Sequence, residues 1–370
     1  MDSKQWVESL IKPAGITLNG ENNFDIKVLN PDLYKRIQTQ GTLGLGESYM
    51  DGWWECDRLD EFFYKLLSSH VQDSIGLSFP LIAEAIKARL FNMQSRKHAY
   101  EVGQKHYDIG NDLFTAMLGE SMAYSCGYFK ETDNLDSAQF AKFDLICKKL
   151  NLKAGQKILD IGCGWGSFDK YAAEKYGVEV TGATISKEQA EFAKNSCKNL
   201  PVKIFLEDYR NLNEKFDAIV SVGMIEHVGV KNYQTFFQTA KKCLKKDGLF
   251  LLHTIGGLKS EEKTDPWTNK YIFPNGMIPS LKQLTTNIEG IFVIEDLHNF
   301  GADYDKTLMA WYKNFENSWP ALKINYDERF HRMWKYYLLS CAGAFRARSL
   351  QLWQIVLSSE GVKGGYKFTR

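Results

Sequence analysis

The chain has 370 residues, 44% of them apolar, and a formal net charge of +1. This length and composition allow a large buried core, so we expect one large domain and a smaller one. The near-neutral charge argues against general nucleic-acid binding, and the apolar content argues against a disordered chain. We find no signal-peptide pattern and no apolar window long enough to predict a membrane-spanning helix. Seven scattered cysteines without a Cys-x-x-Cys pair predict free thiols in a reducing cytoplasm.

The first hundred residues show no regular alternation of strands and helices. A dense cluster, GTLGLGESYMDGWWECDRLDEFF, runs from Gly41 to Phe63, and FPLIAEAIKARLFNMQSRKHAYEVGQKH then has the pattern of an amphipathic helix with a basic end. Residues 1–86 carry 13 acidic and 7 basic side chains, whereas residues 87–105 carry 1 acidic and 5 basic. Taken alone, the basic end is most simply a solvated helix face. We place a boundary near residue 105 and predict a smaller, mainly helical N-terminal domain over 1–105 and a second domain over 106–370.

Strands and helices alternate from about residue 156 onward. The predicted order is the strand KILDIG, a helix from about Trp165 to Tyr176, the strand VEVTGATI, a helix over SKEQAEFAKNSCKN, the strands VKIFLED and FDAIVSVGMI, a helix over NYQTFFQTAKKCLK that stops at Gly248, and the buried strand LFLLHTIGG. The apolar segment LQLWQIVLS completes the sheet. This alternation predicts an α/β fold with a doubly wound, mostly parallel sheet of the Rossmann-like kind.

A glycine-rich turn follows the first of these strands. Its glycines are Gly162, Gly164 and Gly166. Such a turn lets a ligand approach the peptide groups closely, which favours a nucleotide cofactor, although similar turns also serve packing alone. The spacing is G-x-G-x-G and not the dinucleotide pattern G-x-G-x-x-G, and the second strand ends in Thr184 without an acidic residue for a ribose. Together with Asp160 and the later LEDYR, whose Asp208 suits an adenine amine, the turn favours S-adenosylmethionine over NAD.

Several motifs together resemble those of the bacterial cyclopropane-fatty-acyl-phospholipid synthases. They are GLGESYMDGWWECDRLD, HYDIGNDLF, YSCGYF, LDIGCGWG, SVGMIEHVG, LLHTIG, DPWTNKYIFPNG, NFGADYDKTLMAWY and CAGAFRARSLQLWQ. The resemblance covers nearly the whole chain and is far more specific than the glycine turn. It implies an S-adenosylmethionine-dependent methyltransferase fold for residues 106–370 and a lipid-docking, dimer-forming role for residues 1–105.

The implied reaction is methylene transfer to the cis double bond of an unsaturated acyl chain in a membrane phospholipid. No side chain can activate an alkene by deprotonation, so the rate must come from orientation, from stabilisation of a carbocation and from exclusion of water. Aromatic faces attract cations, although each ring taken singly is more simply a core residue. The aromatic candidates are Tyr124, Tyr128, Phe129, Trp267, Tyr271, Phe273, Tyr304 and Trp311.

The resemblance also implies a bound bicarbonate that removes a proton so that the ring closes. The residues it assigns to this anion are Cys126, Glu226, His253, the main chain of Ile255, and Tyr304. Glu226 and His253 stand near the carboxyl ends of adjacent predicted strands, where open parallel sheets bind ligands. A neutral histidine and a tyrosine hydroxyl can donate to the anion, and Glu226 can relay its proton. Without the resemblance, His253 would be interpreted as a core histidine, and no metal is expected because ligand-pair spacing is absent.

The same resemblance assigns a set of cofactor contacts. They are Tyr124, Ser125, Leu159, Asp160, Gly162, Gly164, Trp165, Gly166, Thr184, Gln189, Asp208 and Tyr209. Gln189 is the implied ribose partner, which accounts for the missing acidic residue. From the sequence alone, Thr184 is interpreted as a helix cap and Gln189 as a solvated polar residue.

A membrane substrate implies a membrane-docking surface. The resemblance gives the segment ARLFNMQSRKH this function, with Arg89, Arg96 and Lys97 meeting anionic headgroups, and it implies a homodimer bound peripherally to the inner face of the cell membrane. Two alternatives stay open at this point. One is a carbon methyltransferase that leaves a methyl branch on a lipid, and the other is an NAD oxidoreductase or a non-catalytic, membrane-binding relative.

Overall fold

The computed structural model describes residues 1–69, 110–261 and 263–370. Contacts group the described residues into two compact units. The first unit contains residues 1–69, 263–274 and 304–350, and the second contains residues 110–261, 275–303 and 351–370. The segments 263–274 and 304–350, which the sequence assigns to the second domain, therefore belong by their contacts to the first unit. The expected boundary near residue 105 and the basic segment with Arg89, Arg96 and Lys97 lie outside the described residues.

The first unit is mainly helical. Its elements are α1 (Ser3–Ile11), β1 (Lys27–Val28), α2 (Asp32–Gln40), α3 (Thr42–Met50), β2 (Trp54–Glu55), α4 (Leu59–Ser68), α10 (Pro266–Tyr271), most of α12 (Ala302–Leu322), and α13 (Glu328–Arg346). Helices α4 and α13 approach closely at Gly343, where an added Cβ would lie 2.6 Å from the Cβ of Phe63. Arg346 at the end of α13 pairs with Asp60 and Glu61 on α4, which ties the two helices together.

The second unit is built on a seven-stranded sheet. Its helices are α5 (Asn111–Leu118), α6 (Leu135–Lys149), α7 (Ser167–Tyr176), α8 (Lys187–Ser196), α9 (Tyr233–Cys243) and α11 (Leu281–Ile288). Its strands are β3 (Lys157–Ile161), β4 (Glu179–Thr184), β5 (Val202–Leu206), β6 (Phe216–Val222), β7 (Leu244–Gly257), β8 (Val293–Asn299) and β9 (Leu350–Ser358). The strand order is β5-β4-β3-β6-β7-β9-β8.

The sheet is mostly parallel and doubly wound, as the sequence predicts. Strands β3 to β7 pair in parallel, whereas β8 and β9 pair antiparallel. Successive side chains of β3 belong to different hydrophobic clusters. Ile158 packs with side chains of α6 and α7, and Leu159 packs with side chains of α9. This alternation explains why the strands read as continuous apolar runs, because both faces of the sheet are covered.

Two sequence expectations are corrected by the second unit. The helix expected to run to Gly248 ends at Cys243, and β7 begins at Leu244, so residues 245–247 lie in a strand. The antiparallel strand β8 is absent from the prediction, since its polar, exposed pattern lacks the apolar run that marks the other strands. The expected final strand LQLWQIVLS is confirmed as β9. Among the residues described, none of the helices is both long and apolar enough to cross a membrane.

Candidate active site

The glycine turn after β3 combines three left-handed backbone positions. Gly162, Gly164 and Gly166 have φ values of +89°, +54° and +78°. An added Cβ would lie 2.6 Å from Met224 at Gly162 and 2.9 Å from Ala193 at Gly166, so these two glycines are needed for packing. At Gly164 an added Cβ would meet no described atom within 4 Å. Gly164 therefore offers the bare peptide surface that a ligand can approach.

Buried carboxyl groups lie beside this turn. Asp160 is buried at the end of β3, and its Oδ1 has no hydrogen-bond partner within the described part of the chain. Asp169 on α7 is also fully buried and interacts with Asp160. Burial raises the pKa of both carboxyl groups. Asp160 raises the pKa of Asp169 further, whereas the hydrogen bond with Asp169 lowers the pKa of Asp160. A buried acceptor without a partner is rare in a folded core, so Asp160 is suited to a polar ligand.

Aromatic contacts bring two predicted cofactor residues together. The indole Nε1 of Trp165 donates to Asn111 Oδ1 at 3.1 Å, and the Trp165 ring centroid lies 4.9 Å from that of Phe114. The Tyr124 ring centroid lies 5.3 Å from the same Phe114 ring. Phe114 thus links the turn to the Tyr124 segment, a role that its place in the motif HYDIGNDLF did not reveal.

The remaining predicted cofactor residues follow β4 and β5. Thr184 Oγ1 donates to Gln189 Oε1 at 3.1 Å, and both side chains are buried. The cap of α8 is Ser186, so the interpretation of Thr184 as a cap and Gln189 as a solvated residue is wrong. Asp208 follows β5 and accepts from the Arg210 guanidinium at 2.8 Å, while the Tyr209 ring packs in the core under α9.

Glu226 and its neighbour Ile255 are brought together as the motifs imply. Strands β6 and β7 are paired, and Glu226 follows β6 in a short 3₁₀ turn. Glu226 Oε1 accepts a hydrogen bond from the Ile255 N–H at 2.8 Å. The buried Oε2 has no hydrogen-bond partner in residues 1–69, 110–261 or 263–370. Burial raises the pKa of Glu226 to about 7.

His253 lies two residues before Ile255 on β7 and is fully enclosed. The Nε2 of the Gln354 amide on β9 lies 3.3 Å from His253 Nδ1. The buried Nε2 has no partner among the residues that the structure describes. Burial, and then the charges of Lys142 and Lys149, hold the pKa of His253 well below its usual value, so the ring is neutral. Sequence reasoning missed Gln354 because it stands in an apolar strand with no motif of its own.

The segment before α6 carries two more predicted residues. Ser125 Oγ accepts from Lys142 Nζ at 2.7 Å, and the Cys126 thiol donates to the Gly127 carbonyl at 3.1 Å. Both residues are buried. Tyr304 belongs to the first unit, on α12, where its ring centroid lies 4.4 Å from that of Phe345.

Comparison with known proteins identifies the family. The family model described as mycolic acid cyclopropane synthetase matches residues 94–355. The chain belongs to this family. It is 56% identical over 361 residues to the cyclopropane-fatty-acyl-phospholipid synthase of Escherichia coli, covering 98% of this chain and 94% of that relative. It is 38% identical to a probable fatty acid methyltransferase of Pseudomonas putida, covering 95% of this chain and 93% of that protein.

A solved structure of the cyclopropane synthase family shares the fold. The crystal structure of mycolic acid cyclopropane synthase CmaA1 complexed with SAH and CTAB is 34% identical, covers 70% of this chain and 97% of that chain, and has a TM-score of 0.65. The family and the methyltransferase-like fold expected from the sequence are therefore confirmed. The buried acceptor of Asp160 and the open Gly164 peptide fit a cofactor of the S-adenosylmethionine type, which is polar at one end and needs close backbone approach.

Proposed function

We propose that this protein transfers a methylene group from S-adenosylmethionine to the cis double bond of unsaturated acyl chains in membrane phospholipids, giving cyclopropane fatty acyl chains and S-adenosylhomocysteine. Similarity over nearly the full length to the synthase of Escherichia coli supports this substrate class. The structural observation that carries the proposal is a pair of buried atoms, Glu226 Oε2 and His253 Nε2, that lack partners among the described residues. Glu226 follows β6, and His253 lies on the paired strand β7 opposite Val222, the last residue of β6, at the edge where parallel sheets bind ligands.

The cofactor would occupy the turn and the strand ends around it. S-adenosylmethionine supplies an electrophilic methyl group on a sulfonium when it is bound. Asp160 and the Gly164 peptide support the fit, and the paired Thr184 and Gln189 side chains present a buried polar group after β4. The full set that would hold it is Tyr124, Ser125, Leu159, Asp160, Gly162, Gly164, Trp165, Gly166, Thr184, Gln189, Asp208 and Tyr209.

A bicarbonate ion would supply the base for ring closure. The residues that would hold it are Cys126, Glu226, His253, the main chain of Ile255, and Tyr304. The neutral His253 carries one ring N–H, and its buried Nε2 has no partner among the described residues, so the ring is suited to donate to an anion. The Ile255 N–H fixes one oxygen of Glu226 and leaves the other available.

Glu226 is the residue best suited to transfer a proton. Burial raises its pKa to about 7, so the carboxyl group can accept and release a proton near neutral pH. His253 is less suited to this work, since burial strongly disfavours its charged form. We therefore assign Glu226 as the proton relay and His253 as a hydrogen-bond donor.

The alkene itself has no proton that a base could remove to activate it. The protein must orient it and exclude water, because water would trap the cation formed on the acyl chain. Phe129 is buried in the segment beside Cys126, and its N–H donates to Asp303 at 2.8 Å, which holds an aromatic ring in that position.

The second candidate is a carbon methyltransferase that leaves a methyl branch. The similarity to a probable fatty acid methyltransferase favours keeping it as the alternative. The two reactions begin with the same methylation and differ in which proton is lost afterwards.

Labelled cofactor separates the two reactions. The purified chain is incubated with S-adenosylmethionine carrying a trideuterated methyl group and with vesicles of cis-unsaturated phospholipid, and the acyl chains are analysed by mass spectrometry and NMR. A product that keeps two deuterium atoms and has lost its alkene supports cyclopropane formation. A product that keeps all three indicates methyl branching, and no labelled lipid argues for the non-catalytic alternative.

Membrane association and dimer formation are parts of the same proposal. A phospholipid substrate requires access to a bilayer, and the basic residues Arg89, Arg96 and Lys97 provide charges for anionic headgroups. We propose a homodimer bound peripherally to the cytoplasmic face of the membrane. Vesicle co-sedimentation should increase with anionic lipid and decrease with salt, and light scattering should give twice the chain mass of 42.4 kDa. Binding that ignores lipid charge, or a monomer mass, would contradict these parts.

A further inference from the structure

The segment that carries Ser125 and Cys126 has no regular secondary structure. It lies between the end of α5 at Leu118 and the start of α6 at Leu135, and no helix or strand is formed there. A segment that lacks the backbone hydrogen bonds of a helix or strand is held in its conformation by side chains and by neighbouring elements. Helix α6 provides such a support, because the Tyr128 N–H donates to the Ala138 carbonyl at 2.8 Å.

Two buried polar side chains of α6 hold Ser125 from the same helical face. Gln139 Nε2 donates to the Ser125 carbonyl at 2.7 Å and reaches the Ala123 carbonyl at 3.5 Å. Lys142 Nζ donates to Ser125 Oγ at 2.7 Å and to Gln139 Oε1 at 2.7 Å. The four groups form one connected network, in which Lys142 orients both Ser125 and the amide that holds the Ser125 main chain.

Burying Lys142 at this position costs free energy of folding. Its side chain is fully buried, and both of its hydrogen-bond acceptors are neutral. A buried ammonium costs free energy unless it is compensated by charge, and an apolar side chain of similar volume is often more stable. Burial lowers the pKa of Lys142 to about 7, while Cys126 and Asp160 raise it. Folding stability alone does not explain this lysine.

We propose that Lys142 is a positioning residue for the cofactor, which holds the Ser125 hydroxyl and, through Gln139, the Ser125 main chain in the binding conformation. The inference rests on the proposed function, which assigns Ser125 and Asp160 to the cofactor.

The charge of Lys142 links the two sides of the cofactor region. Its positive charge lowers the pKa of Asp160 against the opposing effect of burial. The other titratable groups facing this pair are Asp169 on α7, Cys163 in the glycine turn, Cys126 in the irregular segment and His253 on β7. An ionised Asp160 accepts hydrogen bonds from a cationic group, such as the amino group of the cofactor's methionine half, better than a protonated one does.

The test compares two buried lysines of the same helix. Lys142→Met removes the proposed positioning group. Lys149→Met is the matched control, because Lys149 is also fully buried but lies 3.5 Å from Asp296, which keeps its pairing with Arg370. The dissociation constant for S-adenosylhomocysteine is measured by calorimetry on the full chain, together with the thermal midpoint of each variant.

We expect Lys142→Met to weaken S-adenosylhomocysteine binding by about tenfold or more, and Lys149→Met to change it by less than about threefold. A purely structural lysine would change the thermal midpoint without changing the dissociation constant for S-adenosylhomocysteine.

Unchanged affinity in a folded Lys142→Met variant would overturn the inference and leave the proposed function intact. If the wild type itself does not bind S-adenosylhomocysteine, the proposed function and the inference both fail. If Lys142→Met does not fold, Gln139→Met replaces it, because it removes the tie to the Ser125 carbonyl and one acceptor of Lys142. That variant should weaken binding in the same direction, and unchanged affinity in it would equally reject the proposed role.

Discussion

Replacing Glu226 with glutamine isolates the effect of burying an ionised carboxyl group at the candidate site. The Glu226 side chain is only 8% exposed, and its Oε1 accepts a hydrogen bond from the Ile255 N–H at 2.8 Å. Its Oε2 has no hydrogen-bond partner among the described residues. Burial raises its pKa from the usual 4.5 to about 7. Glutamine has nearly the same shape and can still accept from Ile255, but it carries no charge.

The magnitude follows from the difference in pKa between the folded and unfolded chain. The folded pKa is the higher one, so the native state holds the proton longer and loses stability as pH rises from 4.5 to about 7. At about 1.4 kcal/mol per pKa unit, the full penalty is about 3 kcal/mol. This penalty is absent well below pH 4.5 and complete well above pH 7. We therefore expect Glu226→Gln to be more stable than the wild type by about 3 kcal/mol near pH 8 and by about 1 kcal/mol near pH 5.

Urea unfolding of the full chain at both pH values measures this difference. Glu174→Gln on the exposed face of α7 is the matched control and should change stability by less than about 0.5 kcal/mol at either pH. The same Glu226→Gln protein should lose turnover with vesicles while its affinity for S-adenosylhomocysteine stays within about threefold of the wild type. A variant that is less stable than the wild type near pH 8 would refute the buried-charge reasoning, and weakened cofactor binding as the main defect would refute the relay role.

Two further predictions concern the turn and the first unit. Gly166→Ala adds a Cβ 2.9 Å from that of Ala193 at φ +78°, whereas Gly164→Ala at φ +54° meets no described atom within 4 Å. Urea unfolding should show a loss of about 1 kcal/mol for Gly164→Ala from backbone strain and of about 2 to 3 kcal/mol for Gly166→Ala, and equal losses would contradict the packing difference. Arg346→Met removes the guanidinium 2.8 Å from the buried Asp60 and should cost about 2 kcal/mol, with partial recovery in Arg346→Lys; a cost near zero would mean that Arg58 alone satisfies this carboxyl.

Strands β3, β4, β6, β7 and β9 could be predicted because they are largely apolar and mostly buried. The edge strand β5 could be predicted from its apolar residues alone, although Phe205 and Leu206 are exposed. Strand β8 could not, because it lies at the edge of the sheet and most of its side chains are exposed. The change from helix to strand at Leu244 could not be predicted either, because the lysines that follow are compatible with an exposed helix end as well as with a strand end. Parallel pairing with β6 decides that segment, and pairing is a tertiary property.

The candidate site divides in the same way. Local sequence determined the glycine turn and the segments that carry Asp160, Glu226 and His253, because glycine conformations and strand ends are properties of short stretches of chain. Only the tertiary structure decided the chemical state of these groups. The raised pKa of Glu226 and the neutral state of His253 arise from burial, and His253 lies beside Gln354, which is distant in sequence. Solvation and hydrogen bonding depend on what the folded chain places around a side chain, and no local pattern encodes that.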